Sequence, residues 1–167
     1  MKILVIDDNP IHIASAQVFA VDHELTTAAD YDEAIKLLED KWDVVLCDLL
    51  MPAGFDKQGP IGKKFSGQEM PVGFGLALMF ALRGAKYVAV ATDSNHHDHP
   101  ASAMFDYLGA YNSNPCFNVN GAHLGFYFTP CLDGEGKNWK NVLNKVMMRV
   151  DTNTEVSFGL KEGAREA

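Results

Sequence analysis

The sequence predicts an α/β fold, a doubly wound five-stranded parallel sheet with helices on both faces. Two observations predict it: short continuous apolar runs alternate with segments of helical spacing, and the runs end in acidic or hydroxyl residues. Ile3-Leu4-Val5-Ile6 is the first run, unbroken by polar residues as expected of a parallel strand buried on both faces, and it ends in Asp7-Asp8. Asn9-Pro10 then has the form of a helix start, with Pro10 at the first helical position and Ile11, Ala14, Val18 and Phe19 at helical spacing. Leu25 to Ala29 is a second, weaker strand. Asp30 and Glu33 have capping-box spacing ahead of Ala34, Leu37 and Leu38.

Trp42 to Cys47 carries the third strand, and it too ends in an aspartate, Asp48. Residues 53–73 hold Gly54, Gly59, Gly62, Gly67 and Gly73 with Pro60 and Pro71, a composition that favours a long loop. Leu76 to Leu82 reads as a helix ended by Arg83-Gly84. Lys86 to Ala91 is the fourth strand, closing on Thr92-Asp93, and Ala101 to Leu108 is a short helix stopped by Gly109. Residues 110–123 are turn-rich, Leu124 to Thr129 make the fifth strand, and Trp139, Val142, Leu143, Val146, Met147 and Val150 define the last helix. The organisation expected is one domain over 1–150, with an inserted loop at 53–73 and an extended segment at 110–123, and a polar tail over 151–167.

Composition narrows the function. A formal charge of −8 argues against a nucleic-acid partner, since no basic patch is large enough to displace counterions. No apolar run approaches the roughly 20 residues of a membrane span, and the apolar stretch behind Lys2 is too short for a secretory signal, so a cytoplasmic location is expected. Cys47, Cys116 and Cys131 lack metal-ligand spacing and are read as free thiols, with Cys47 in the core.

In an open parallel sheet, ligands bind outside the carboxyl ends of the strands, where Asp7, Asp8, Asp48 and Thr92 converge. Clustered carboxylates raise one another's pKa unless a cation compensates, and an all-oxygen acidic cluster suits a hard divalent ion, Mg²⁺. Mg²⁺ takes one or two carboxylates, which leaves an aspartate free to attack a phosphoryl donor.

These residues resemble the receiver domains of two-component response regulators. The resemblance rests on the pair Asp7-Asp8 after the first strand, Asp48 after the third, Met51-Pro52 at the family's offset from it, and Thr92 after the fourth. It implies a flavodoxin-like sheet of strand order 2-1-3-4-5. It also implies Mg²⁺ held by Asp7 or Asp8, Asp48 and the backbone carbonyl of Leu50, with Asp48 as phosphoacceptor and Thr92 contacting the phosphoryl group. Phosphoryl transfer from a histidine kinase or phosphotransfer protein, output through a downstream protein partner, and no enzymatic activity beyond self-phosphorylation and autodephosphorylation follow from the same resemblance.

The second half departs from the family pattern. Thr129-Pro130 stands where the family has Lys-Pro, so the lysine that pairs with the phosphoryl oxygen is expected to be absent, unless Lys57, Lys63 or Lys64 reaches over the strand ends. Asp93 adds negative charge where the family has a small residue, and Phe126 falls at the switch aromatic. The alternative is therefore a pseudo-receiver, an interaction module that is not phosphorylated. An aspartate-nucleophile phosphohydrolase would need an acid two positions after Asp48, where Leu50 stands. The run His96, His97, Asp98, His99 is read as a solvated loop, because consecutive residues rarely converge on one ion, with pH tuning of the adjacent pocket as a further option.

Overall fold

The computed structural model describes residues 1–52, 65, 67–108, 114–132 and 134–148. The chain runs β1 (Lys2–Ile6), α1 (Pro10–Phe19), β2 (Glu24–Ala28), α2 (Tyr31–Lys36), β3 (Val44–Asp48), β4 (Met51–Pro52), β5 (Glu69–Met70) and α3 (Val72–Leu82). It continues through β6 (Tyr87–Thr92), α4 (Pro100–Ala103), a 3₁₀ turn (Met104–Tyr107), β7 (Cys116–Val119), β8 (Ala122–Phe128) and α5 (Trp139–Met148). Gly109 and the 151–167 tail lie outside the described residues.

The α/β class is as expected, but the sheet is not five strands in the order 2-1-3-4-5. It has six strands, ordered β2-β1-β3-β6-β8-β7, with every neighbouring pair parallel except β7 and β8. The extra edge strand comes from the segment read as turn-rich. Its turn residues belong to a hairpin: Asn120 and Gly121 both adopt positive φ, 53° and 83°, and join β7 to β8. Positive φ at both central positions twists a two-residue connection the way antiparallel strands twist, which is why Asn-Gly favours it. Within the segment read as a long loop, β5 pairs antiparallel with β4, and α3 begins at Val72; residues 53–64 lie outside the described part.

Alternate strand residues feed two cores. Leu4, Ile6, Val45, Cys47, Val88, Val90, Leu124 and Phe126 face Leu76, Ala77 and Phe80 of α3 and Ala34 of α2. Ile3, Val5, Val44, Leu46, Ala89, Ala91 and Tyr127 face Ala16 of α1 and Trp139, Val142, Leu143 and Val146 of α5. A strand buried on both faces needs no polar alternation, which explains the continuous apolar runs. Each fully buried side chain of α5 contributes about 1.5–3 kcal/mol, so packing holds this helix more than propensity does.

Helix α1 does not present the face its sequence suggested. Ile11 and Val18 are exposed, while His12 and Ala16 are buried. The cap sets the entry of the helix: the Asn9 side chain accepts from the Ile11 N–H at 2.9 Å, with Pro10 in the first turn. His12 is drawn inward by Asp7, as described below.

One close approach positions the end of β3. A Cβ on Gly73 would fall 1.6 Å from the carbonyl oxygen of Asp48, so only glycine lets the first turn of α3 lie against that strand end. The Gly73 N–H donates to the Leu49 carbonyl at 3.2 Å. Gly73→Ala should therefore cost about 3 kcal/mol or more in urea denaturation. Gly75→Ala, whose Cβ would meet nothing within 4 Å, should be neutral or stabilise by up to about 1 kcal/mol in the same measurement.

Candidate functional site

Asp7, Asp48 and Thr92 come together because β1, β3 and β6 are adjacent, parallel and in register. Ile6 pairs with Cys47 and Asp48 with Ala91, so the residues that end each strand form one row. Asp7, Asp48 and Thr92 are all buried, whereas Asp8 is exposed.

The pocket contains a lysine, contrary to the reading that placed threonine where the cation was expected. Thr129 is indeed buried at the end of β8, with its N–H on the Thr92 carbonyl at 2.9 Å. The ammonium comes instead from Lys137, two residues ahead of α5. Its Nζ lies 2.8 Å from Asp7 Oδ2, 2.5 Å from Asp48 Oδ1 and 3.5 Å from an oxygen of Asp93. Lys137 is only 1% exposed. Lys57, Lys63 and Lys64, the alternative sources of charge, lie outside the described residues.

Local packing pins this lysine. The Ser15 hydroxyl sits 2.7 Å from the His12 carbonyl and 2.9 Å from the Lys137 carbonyl, sharing its proton between α1 and the segment before α5. The Trp139 indole N–H donates to the same His12 carbonyl at 2.9 Å. A Cβ on Gly136 would meet Ser15 Cβ at 2.4 Å, so glycine allows the segment to seat against α1. Lys137 thus reaches the strand ends across the top of the sheet face covered by α1 and α5.

Asp7 is surrounded by donors. Its Oδ1 accepts from the Asn9 N–H at 2.9 Å, both oxygens lie 3.2 Å from His12 Nδ1, and Lys137 takes Oδ2. Asp8 has no ion-pair partner among the described residues. Although the residue as a whole is exposed, partial desolvation of its carboxyl beside the strand ends raises it above the ordinary range, Asp7 adds to the rise, and Lys137 offsets part of it.

One ammonium shared by two buried carboxylates cannot fully neutralise both. Burial disfavours the Lys137 charge, but Asp48 and Asp7 outweigh it and raise the lysine, which stays an ammonium. Asp48 carries the uncompensated part: burial lifts it to about 7, Lys137 opposes the rise, and Asp7 and Asp93 add to it. The two shifts describe one arrangement, a fixed cation with one carboxylate too many.

Asp7, Asp8 and Asp48 can each place an oxygen within 4.8 Å of the others, a donor set that could hold a metal ion. With Asp7 engaged by Asn9, His12 and Lys137, the oxygens best placed to serve a hard cation are those of Asp8 and Asp48. Comparison with protein-family models, with curated proteins and with solved structures finds no match.

Thr92 Oγ1 accepts from the Ser94 N–H at 3.1 Å, which leaves its own hydrogen available to donate. Leu50 lies two residues beyond Asp48 with its side chain buried. Phe126 is buried among Phe74, Phe105 and Phe117, with ring centroids 4.9–5.9 Å away. In the histidine run, His96 Nδ1 is 2.7 Å from Asp106, and His99 Nδ1 caps α4 by accepting from the Ala101 N–H. Cys47 is buried, and all three cysteines are free.

Sequence reading missed both Lys137 and His12. The available signal was electrostatic: a buried acidic row requires a cation, and Gly136-Lys137 stands immediately before the best-defined helix.

Removing Lys137 leaves Asp7 and Asp48 facing each other uncompensated. Lys137→Ala should cost about 3–5 kcal/mol in chemical denaturation. The Asp48 shift has a definite pH signature. Its carboxyl is raised from 3.8 to about 7 on folding, so the folded state keeps a proton that the unfolded chain releases. This contribution to stability is fully present below the lower value and is lost as pH rises through the upper one. Denaturation from pH 4 to 8 should show this decline in the wild type and its absence in Asp48→Asn.

Proposed function

We propose that this chain is a receiver-like phosphoryl-acceptor domain in which Asp48 is the acceptor. The observation that carries the reading is the Lys137 ammonium between Asp7 and Asp48 at the carboxyl ends of adjacent parallel strands. It supplies the cation whose apparent loss argued against phosphoryl chemistry. The order of the parallel strands, β2-β1-β3-β6-β8, is consistent with a flavodoxin-like fold.

Asp48 Oδ1 is held by Lys137, which leaves Oδ2 to attack phosphorus. The new bond is Asp48 O–P. The bond that breaks joins phosphorus to the donor, a phosphohistidine nitrogen of a histidine kinase or phosphotransfer protein, which leaves with the electron pair. Lys137 then faces the negative charge gained by the acceptor, and Thr92 has a hydroxyl hydrogen to donate to a phosphoryl oxygen. Mg²⁺, when bound, supplies charge neutralisation at the transferring group, with Asp8, Asp48 and the carbonyl of Leu50 as its protein ligands. Asp7 has a positioning role, since its oxygens hold Lys137 and His12. Asp48 must ionise to act, and its raised pKa makes that ionisation depend on the cation. The output is contact with a protein partner, and the compartment is the cytoplasm.

A second reading is favoured by the same contact. Lys137 already pairs with both carboxylates, so the pocket can stand as an internal ion cluster, and the chain would then be a pseudo-receiver that signals by binding alone. Intact-mass measurement after incubation with Mg²⁺ and acetyl phosphate separates the two. The first reading expects one added phosphoryl group that Asp48→Asn abolishes. It also expects a fluorescence response to Mg²⁺ and beryllofluoride, since the Trp139 ring lies 5.6 Å from Lys137 Nζ. A wild-type protein that shows neither response is a pseudo-receiver.

A further inference from the structure

Beside the acidic row lies a second, chemically different group of donors: His12, Asp93 and Cys131, whose ligand atoms fall within 4.8 Å of one another. They come from three separate places, the first turn of α1, the residue after β6 and the segment after β8. We infer that these three side chains form a binding site for a thiophilic divalent cation of the zinc class, distinct from the all-oxygen site at Asp8 and Asp48.

The histidine is already set for coordination. Nδ1 is held by both oxygens of Asp7 at 3.2 Å, and Nε2 points toward Asp93, 3.9 Å away. A carboxylate behind the ring is how metal-binding histidines are oriented and made more basic. The tautomer follows from Asn9. Its Oδ1 accepts the Ile11 N–H, so its amide nitrogen, a donor, is the atom 3.5 Å from His12 Nε2. With Nδ1 donating to the Asp7 carboxylate, Nε2 is the nitrogen whose lone pair a bound ion would take in place of the Asn9 contact.

The donor set selects the metal. One imidazole nitrogen, one thiolate and one carboxylate suit zinc, and three protein ligands leave a fourth position open to water. Magnesium avoids sulfur and belongs with the carboxylates next door. Access is available, because Asp93 has a side chain 42% exposed and Cys131 is half-buried. The Cys131 thiol is 3.5 Å from the Thr129 carbonyl, a weak contact that coordination would replace with release of the thiol proton. Asp93 also lies 3.5 Å from Lys137, so a bound cation offsets a negative charge at the rim of the acceptor pocket. The site itself does not depend on Asp48 being phosphorylated.

Cobalt(II) alone, added to the full chain, is the probe. One equivalent should produce a near-ultraviolet sulfur-to-cobalt charge-transfer band, with visible bands of four-coordinate intensity, and zinc should abolish both. Cys131→Ser should lose the charge-transfer band while keeping the wild-type circular dichroism, and Asp93→Asn should weaken cobalt affinity by about tenfold or more. Asp48→Asn should keep the band, which separates this site from the phosphoryl reading. Absence of the band at one equivalent, or its persistence in Cys131→Ser, overturns the assignment.

Discussion

Two buried carboxylates from neighbouring strands share a single buried ammonium, and the architecture of the strand ends is organised around that imbalance. Asp7 and Asp48 are brought together by the register of β1 and β3, whether or not their charges are welcome there. Apolar burial drives the sheet together, and the aspartates are carried along at its rim. Without a partner of opposite sign they would destabilise the edge of the core. Lys137 is that partner, and its position depends on Ser15, Gly136 and Trp139 closing α5 onto α1. The tertiary contact of the two helices and the electrostatics of the site are thus one problem with one solution.

The same economy extends to His12. It occupies a helix position outside the apolar stripe of α1, and it is buried because Asp7 gives it a partner. Asp7 therefore faces both ways, toward the lysine on one side and the imidazole on the other. Asp93, more exposed, lies 3.5 Å from the Lys137 ammonium and 3.9 Å from His12 Nε2. Hard oxygen donors collect on the Asp8 and Asp48 side, while the mixed nitrogen, sulfur and oxygen donors collect on the other.

Backbone constraints supply the precision. Gly73 lets α3 touch the Asp48 carbonyl at the end of β3, and Gly136 lets the lysine-bearing segment touch α1. Neither contact requires an unusual backbone angle; each requires the absence of a Cβ. On the opposite edge, the Asn120-Gly121 turn adds an antiparallel strand that extends the sheet beyond its parallel part. This strand also places Phe117 against Phe126, closing the apolar core on that edge.

The sequence by itself determined the α/β class, the continuous apolar strands, the last helix and the acidic row at the strand ends, because these follow from local pattern and from the geometry that parallel strands impose. It also carried the turn chemistry of Asn120-Gly121, which composition alone reads as loop because asparagine and glycine serve both. Only the tertiary structure decided which cation meets the row. Lys137 is 130 residues from Asp7 and 89 from Asp48 along the chain, so no local spacing rule connects them, and a family-like position at Thr129 pointed elsewhere. The inward face of α1 was decided in the same way. Ile11 is more apolar than His12, yet it faces solvent, because a buried carboxylate makes the imidazole the better inward neighbour. Periodicity records which residues avoid water, whereas a buried charge selects its partner across the fold.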